Sequence, residues 1–280
     1  MAIAFNEKTV APQPFETGVK RQRLVTNESV KGTRVLIDRL TLSAGAKMQF
    51  DIPVKSLAWI QMLEGDATLS ALYTDKMSDS HSVLLSPGYS ATLSTGKGAS
   101  FLYAEIPDTG AIDPGFSASS PLFMVIDWKR ETVYASEHDA RKRISLVAPM
   151  ICRTAAIRVD MVIYPAGNAA PSYHHEGADT FVYVMSGRGT AWANEQPFSV
   201  RQGDMICFPD REQHRLKADD AGELRFLEMY VPGEFKTVCI EPNKVTAWRS
   251  TGLDISNHET APDERERIAF RYLFGNPWTR

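Results

Sequence analysis

The stretch Gly167–His214 decides the fold of this 280-residue chain. It begins with GNAAPSYHHEGADTFVYVMSG (residues 167–187) and ends with GDMICFPDREQH (residues 203–214). Its apolar residues alternate with polar ones or form short runs between glycine and proline, and both patterns are typical of β-strands. Of the six histidines in the chain, three lie in this stretch. Strands that bring imidazoles to one side of a sheet can build a metal site.

Strand-like segments also flank this stretch on both sides. Three stand before it, TRVLIDRLTL (33–42), LAWIQMLEG (57–65) and SFLYAEIP (100–107), and one follows it, ELRFLEMYVPGEF (223–235). Each is rich in β-branched and aromatic residues, and turn residues recur between them. A row of short strands separated by turns is typical of a β-sandwich or a β-barrel. The sequence therefore predicts an all-β fold.

Composition and charge narrow the class of protein. Apolar residues make up 43% of the chain and charged residues 23%, and the formal net charge of −3 gives no reason to expect a nucleic-acid or membrane partner. No apolar run approaches the roughly 20 residues of a membrane-spanning helix. The first residues, MAIAFNEKTVAPQPFE (1–16), lack the features of a signal peptide, and the odd number of cysteines predicts free thiols. We therefore expect a cytoplasmic location.

The stretch 167–214 resembles the cupin family, small β-barrels of the jelly-roll type. The positions of the family's first motif fall, in order, on Gly167, Tyr173, His175, Thr180 and Gly187. The two glycines and the second histidine match. Tyr173 stands where the family has its first histidine, and Thr180 stands where it has its glutamate. The resemblance implies a barrel whose metal site has lost two of its usual ligands.

The family's second motif matches at Gly203, Pro209 and His214. Arg211 replaces the glycine that the family has between the proline and the histidine. A lone histidine is usually an ordinary core or surface residue, but here two histidines fall on ligand positions of the resemblance. It therefore implies His175 and His214 as metal ligands.

The first half of the chain fits the same template. Gly45 and Gly65 take the glycine positions of the first motif, and Gly88 and Gly96 take those of the second. The ligand positions then fall on Asp51, Pro53, Ala58 and Ala99, none of which is a histidine. The chain thus resembles a two-barrel cupin protein with a degenerate first barrel, which has kept its fold and lost its metal.

This resemblance divides the chain into four parts. We predict a first cupin barrel over residues 1–110, a connection over 111–145, a second barrel with the metal site over 146–253, and a tail over 254–280. In the tail, PDERERIAFRYLFG (262–275) has proline and acids at its start and glycine at its end, which is the expected punctuation of a helix. The complete prediction is two tandem jelly-roll barrels with a short C-terminal helix.

Two histidines do not hold a metal ion well, so the site needs a third ligand. The candidates are Tyr173, His174, Glu176 and Asp179. Strand alternation puts Tyr173 and His175 on one side and His174 and Glu176 on the other, although a one-residue bulge would turn His174 inward. Two histidines with one carboxylate form the facial triad of non-haem iron oxygenases. We therefore favour Fe(II), with Mn(II), Zn(II) and Ni(II) as alternatives.

Two further side chains are candidates for catalysis. Tyr173 can act as a general acid or base if a cation lowers its pKa from roughly 10. It can also orient the substrate, or simply fill the space of a missing ligand. Arg211, at the mouth of the barrel, can pair with a substrate carboxylate, although a solvated surface arginine is the simpler interpretation.

The resemblance implies a metal-dependent enzyme that acts on a small organic acid or aromatic molecule. Two-barrel relatives include dioxygenases, oxalate decarboxylases, isomerases and an aminohydrolase. We favour a mononuclear Fe(II) oxygenase, with a metal-dependent isomerase, lyase or hydrolase as the alternative. A non-enzymatic small-molecule-binding or structural protein is the third interpretation. The expected partner is a small-molecule substrate, and a homodimer is left open.

Overall fold

The structure is a computed structural model that describes residues 1–116, 123–241 and 246–260. The strands of its first half are β1 (Ile3–Asn6), β2 (Gln13–Glu16), β3 (Val19–Val25), β4 (Leu36–Leu42), β5 (Lys47–Asp51), β6 (Leu57–Gly65), β7 (Ala67–Ser70), β8 (Thr74–Met77), β9 (His81–Leu85), β10 (Ser90–Ser94), β11 (Ala99–Ile106) and β12 (Phe123–Asp127).

The strands of its second half are β13 (Val133–Ser136), β14 (Lys142–Val147), β15 (Arg158–Tyr164), β16 (Tyr173–Glu176), β17 (Asp179–Ser186), β18 (Arg188–Ala193), β19 (Gln196–Arg201), β20 (Asp204–Phe208), β21 (His214–Ala218), β22 (Leu224–Val231), β23 (Lys236–Cys239) and β24 (Trp248–Ser250). Helical structure in the described residues is limited to α1 (Thr109–Ile112), α2 (Pro149–Cys152) and two 3₁₀ turns, Glu7–Thr9 and Trp128–Arg130.

These strands form two barrels, each made of a large and a small antiparallel sheet. The first barrel has a seven-stranded sheet, in the order β12-β9-β6-β11-β4-β3-β2, opposite a four-stranded sheet, β5-β10-β7-β8. The second has an eight-stranded sheet, β1-β20-β17-β22-β15-β14-β13-β24, opposite a five-stranded sheet, β19-β18-β21-β16-β23. The prediction of an all-β fold with two tandem barrels is therefore confirmed.

Three apolar clusters hold the barrels together. One fills the lumen of the first barrel around Phe101, and another fills the lumen of the second around Phe226. The third lies between the two large sheets, where Trp59 of the first barrel and Phe181 of the second are both buried. Because their large sheets are covered on both faces, β6 and β17 are nearly continuous apolar runs rather than strict alternations.

One strand crosses from the first half of the chain to the second barrel, and another joins the first barrel from beyond the predicted domain boundary. β1 pairs with β20 of the second barrel, with Ile3 opposite Cys207. β12 pairs with β9 of the first barrel, with Phe123 opposite Leu85. Each barrel thus uses a strand from beyond the compact part of its own sequence. The domain boundaries given above stay a prediction.

The remaining predictions concern the cysteines, membranes and the tail. Cys152, Cys207 and Cys239 are free thiols, and the first two are buried. Among the described residues, no helix has the length and hydropathy needed to cross a bilayer. The predicted C-terminal helix at 262–275 lies outside the described residues.

Candidate metal site

Two histidines face the lumen of the second barrel from neighbouring strands. His175 lies on β16 and His214 begins β21, and Tyr173 of β16 pairs directly with His214. Their side chains are almost fully buried, at 3% and 2% exposure. The ring centroids are 5.2 Å apart, and the ring of Phe208 stacks on His214 at 4.3 Å. The packing therefore fixes the orientation of both imidazoles.

Each imidazole is held by one nitrogen and leaves the other free. Nδ1 of His214 lies 2.8 Å from the backbone oxygen of Glu212, which can only accept, so Nδ1 carries the proton. Nδ1 of His175 lies 3.1 Å from the hydroxyl of Thr237. The two Nε2 atoms are buried and have no hydrogen-bond partner among the described residues. A buried nitrogen lone pair without a donor is what a metal ligand looks like before it binds its ion.

A buried carboxylate completes the group. Glu228 of β22 is 5% exposed, and its oxygen and the imidazole nitrogens of His175 and His214 all lie within 4.8 Å of one another. Two imidazole nitrogens and one carboxylate oxygen suit divalent iron, manganese or zinc. The residues present therefore fit a mononuclear metal site with open coordination positions.

Burial shifts the pKa of all three groups. It lowers the pKa of His175 to about 2 and that of His214 to about 4, so both imidazoles are neutral near pH 7. Burial also raises the pKa of Glu228 to about 7, although a hydrogen bond from Tyr230 and the charges of nearby arginines oppose the rise. Both histidines are therefore ready to bind a cation, whereas Glu228 holds a proton below about pH 7 and must lose it when a cation binds.

The structure places the other candidate ligands outside this group. His174 and Glu176 point away from the lumen, as strand alternation predicts, and their side chains lie 3.6 Å apart. Asp179 faces the opposite side of β17 from the lumen, where it accepts a hydrogen bond from the backbone of Asp210 at 3.0 Å. None of the three therefore joins His175 and His214, and no bulge turns His174 inward.

Arg211 lies at the rim and is 65% exposed. Its guanidinium donates to Glu176 at 3.1 Å, so it points along the surface rather than toward the buried histidines. Its backbone has φ 64°, which is the left-handed conformation that glycine adopts easily. The arginine thus occupies the family's glycine turn without adding a charge to the lumen.

Tyr173 is buried beside the candidate ligands. Its hydroxyl donates to Glu228 at 3.4 Å, and its ring contacts His214 at a centroid distance of 4.8 Å. Burial and the neighbouring carboxylate of Glu228 raise the pKa of Tyr173 well above 10. The phenol therefore stays protonated and can donate a hydrogen bond on the lumen side.

Two arginines and an aspartate line the same wall. Asp160 of β15 pairs in register with Glu228 and accepts hydrogen bonds from Ser145 at 2.8 Å and from Arg158 at 2.9 Å. Arg143 lies 4.0 Å from Asp160. The two guanidinium groups balance the two carboxylates, so a bound divalent cation would leave this wall net positive. A positive, buried wall favours an anionic substrate.

Glu228 was missed by the sequence analysis, although a signal for it existed. It stands two positions after Phe226, which faces the lumen in the strand LRFLEMYV (224–231), so alternation puts its carboxylate on the lumen side. It lies on the strand next to the one that carries Thr180, the position of the family's glutamate, since Thr180 pairs with Tyr230 in the same ladder. Strand pairing, which the sequence does not reveal, makes this substitution possible.

Comparison with known proteins identifies the barrel that carries this group. The sequence profile of the cupin domain family matches residues 160–230, which include all three candidate ligands. The second barrel is a cupin domain. No curated protein sequence matches the chain.

Solved structures extend the likeness to both cupin barrels. A variant of oxalate decarboxylase from Bacillus subtilis has a TM-score of 0.68 and 13% identity, with 85% of this chain and 79% of that chain covered. Oxalate decarboxylase from Lactobacillus farciminis, in complex with formate, has a TM-score of 0.68 and 15% identity, with 85% and 88% covered. A further structure of the Bacillus subtilis enzyme, described through its Mn(II) centres, has a TM-score of 0.67 and 14% identity, over the same shares as the first. At such low identity the likeness establishes the two-barrel cupin fold.

The first cupin barrel lacks this ligand set. The backbone N–H of Gly88 donates to the carbonyl of Ile52, and the backbone N–H of Arg211 donates to the carbonyl of His175. Ile52 therefore corresponds to His175. By the same pairing pattern, Phe50 corresponds to Tyr173 and Ala91 to His214. The three replacements are buried and apolar. The first barrel is therefore degenerate as a metal site, as the sequence analysis predicts.

The predicted positions of the lost ligands were, however, wrong in detail. Gly45 and Gly65 hold the places predicted for them, because they occupy the same turns as Gly167 and Gly187. The loop after Gly45 is one residue shorter than the loop after Gly167, which moves the positions from Asp51 and Pro53 to Phe50 and Ile52. Gly88 takes the place of Arg211 rather than of Gly203, which moves the last position from Ala99 to Ala91.

Proposed function

We propose that the protein is a metal-dependent enzyme whose second barrel binds one divalent ion through His175, His214 and Glu228. The observation that carries the proposal is the pair of buried Nε2 atoms that have no partner in the described part of the chain and face a buried carboxylate. Leaving such nitrogens unsatisfied costs about 1–3 kcal/mol each, and a metal ion would recover that cost. The cupin fold supports the same location.

Manganese is the metal that we propose. The fold relatives include an oxalate decarboxylase with Mn(II) centres, and a mixed nitrogen and oxygen ligand set accepts Mn(II). The sequence analysis favoured iron, but its candidate carboxylates, Glu176 and Asp179, lie outside the group. The carboxylate proposed here is Glu228.

For the reaction, we propose a lyase that cleaves a carbon–carbon bond of a small carboxylic acid. The arginines on the Asp160 wall attract the anionic substrate into the lumen, and the aromatic rings of Tyr230 and Phe235 cover His175 and limit its size. When bound, the metal supplies a Lewis acid that polarises the substrate carboxylate. The protonated hydroxyl of Tyr173 donates a hydrogen bond to the substrate and holds its orientation.

A non-haem iron oxygenase is the second candidate function. Two histidines and one carboxylate on one side of an ion are the facial triad of that class, which leaves positions for substrate and dioxygen. His175, His214 and Glu228 supply that set. The two candidates differ in the metal and in whether dioxygen is consumed with the substrate.

Metal analysis joined to a turnover assay tests the proposal. Protein purified without added metal is expected to contain close to one manganese per chain, and to release CO₂ from oxalate or another small carboxylic acid without equivalent consumption of dioxygen. Iron together with equivalent dioxygen consumption would favour the oxygenase instead. A chain that binds no divalent metal after incubation with Mn²⁺, Fe²⁺ and Zn²⁺ would overturn the metal site and both enzyme proposals.

Replacing Tyr173 with phenylalanine tests its role as donor. The variant keeps the ring, so we expect unchanged metal content and melting temperature, with kcat/KM lower by roughly 10- to 100-fold, the value of about 1.5–3 kcal/mol for a hydrogen bond to a charged group. Tyr183→Phe is the matched control, because its hydroxyl donates to Glu7 on the other face of β17. If the Tyr173→Phe protein has full activity, the hydroxyl of Tyr173 does not act as a donor to the substrate, and the residue only fills space with its ring.

A further inference from the structure

The first barrel contains an open cleft that the metal site does not explain. It lies between the edge of the small sheet at β5 and strands β3, β4 and β11 of the large sheet, with a volume of about 620 Å³. Small-molecule sites usually have about 300–1,000 Å³. We call this space the first-barrel cleft and define it by Arg21, Asp38, Phe50, Tyr103 and Glu105.

An incompletely satisfied carboxylate, that of Asp38, lines the cleft. The side chain of Asp38 is 18% exposed, and no hydrogen bond to it occurs among the described residues. Its one ion-pair partner there, the Nε of Arg21, lies 4.0 Å away, which is too long for a hydrogen bond. Burial raises the pKa of Asp38 to about 6, with the charge of Glu105 adding to the rise and Arg21 and Arg23 opposing it.

The second barrel shows what a satisfied carboxylate at the same place looks like. Asp38 pairs with Tyr103 as Asp160 pairs with Glu228, so the two aspartates occupy equivalent positions. Asp160 is 1% exposed and accepts short hydrogen bonds from Ser145 and Arg158.

The first barrel lacks both of these donors. The position of Ser145, opposite Asp160, is taken in the first barrel by Arg23, opposite Asp38. The position of Arg158, opposite Tyr230, is taken by Leu36, opposite Glu105. Arg23 is exposed and Leu36 has no polar atom in its side chain. The aspartate at this position is therefore buried and hydrogen-bonded in the second barrel, as Asp160, and open to the cleft in the first barrel, as Asp38.

The charge and the rings of the cleft decide the class of ligand. Five carboxylates and two guanidinium groups line it, so the cleft is net negative. Phe50 and Tyr103 stack at 5.5 Å and give it an aromatic wall. One ring of the rim already holds a cation, because the guanidinium of Arg21 lies 4.1 Å from the ring centroid of Phe15. Carboxylates beside aromatic faces recognise organic cations.

We propose that the first-barrel cleft binds a small organic cation, an amine with an attached apolar group. Its ammonium donates to Asp38 and Glu105, and its apolar part lies against Phe50 and Tyr103. The site needs no metal, and it does not depend on the function proposed for the second barrel. The degenerate barrel would then be a second binding site and more than a structural support.

Three ligands that share one ring test the proposal on the full chain. Benzylamine, benzyl alcohol and benzoate carry positive, neutral and negative groups on the same benzyl or phenyl frame, and their binding is measured by calorimetry at pH 8. We expect saturable binding of benzylamine, with an affinity at least about tenfold higher than that of benzyl alcohol or benzoate. A hydrogen bond to a charged group typically raises affinity by that factor or more. No saturable binding of benzylamine would overturn the proposal. Benzoate that binds as tightly and competes with benzylamine would also overturn it, whereas benzoate bound at the second barrel would not compete.

Matched variants locate the binding. Asp38→Asn is expected to weaken benzylamine binding about tenfold or more, and Glu105→Gln to weaken it several-fold. Asp66→Asn removes the same charge from an exposed turn of the first barrel outside the cleft and is expected to leave binding unchanged. Equal losses in Asp38→Asn and Asp66→Asn would show a general charge effect and no site. If Asp38→Asn fails to fold, the Glu105→Gln comparison decides the question.

Discussion

Glu228→Gln is expected to abolish high-affinity metal binding and activity while making the metal-free protein more stable at pH 8. The first effect follows because glutamine removes the only carboxylate among the three candidate ligands. The second follows from the pKa of Glu228, which burial raises from its ordinary 4.5 to about 7. The folded metal-free protein therefore loses stability as the pH rises from about 4.5 to about 7, by roughly 3 kcal/mol at most. Glutamine has no proton to lose and escapes this cost.

Elemental analysis and thermal melting with and without metal measure both effects. Glu176→Gln is the matched control, since it removes a carboxylate that lies at the rim and bonds to Arg211. We expect that control to keep its metal. His175→Ala should lose the metal and His174→Ala should keep it. If Glu176→Gln empties the site while Glu228→Gln leaves it full, the third ligand has been assigned to the wrong strand.

Metal affinity is expected to fall about tenfold for each pH unit below 7 and to be level above 7. The imidazoles of His175 and His214 are neutral throughout, because burial holds their pKa values at about 2 and about 4. Glu228 is the ligand that must give up a proton, and below pH 7 it holds one. Binding at pH 6 should therefore release close to one proton per metal ion, and affinity at pH 5 should be about 100-fold below that at pH 8.

Calorimetry in buffers of different ionisation enthalpy counts the released protons directly. A competing chelator with known proton affinities gives the binding constant at each pH. An affinity that does not change between pH 5 and pH 8 would mean that Glu228 is already ionised in the metal-free protein. A release of two protons would mean that a histidine is charged there. Either result contradicts the protonation states given above.

The second barrel was predictable because its turns and alternation are local. Gly167, Gly187 and Gly203 have φ of 71°, 83° and 84°, a conformation that disfavours other residues, so the turns leave a mark in the sequence. Alternation then placed Tyr173 and His175 on the lumen side and His174 on the other, as the structure has them.

The third ligand could not be predicted in the same way. Glu228 meets His175 because β22 of the large sheet lies across the barrel from β16 of the small sheet, and no local pattern encodes which distant strands face each other. The carboxylates of Glu176 and Asp179 are close to His175 in sequence, but they lie on the faces of their strands that point away from the lumen. The sequence also did not reveal the open carboxylate of Asp38. That carboxylate lacks hydrogen-bond donors because Arg23 of β3 and Leu36 of β4 take the places that Ser145 and Arg158 have in the second barrel.

The pairing of β1 with the second barrel links the order of synthesis to the order of folding. Asn6 donates to Asp204 across 198 positions, so β1 is made long before the strand that it pairs with. Closing so long a loop is slow compared with forming hairpins. Until β1 arrives, β20 is an unpaired edge whose backbone can recruit another unfinished chain. The chain is thus most prone to aggregate during synthesis, before β1 pairs with β20, and overexpression at high temperature is expected to increase that aggregation.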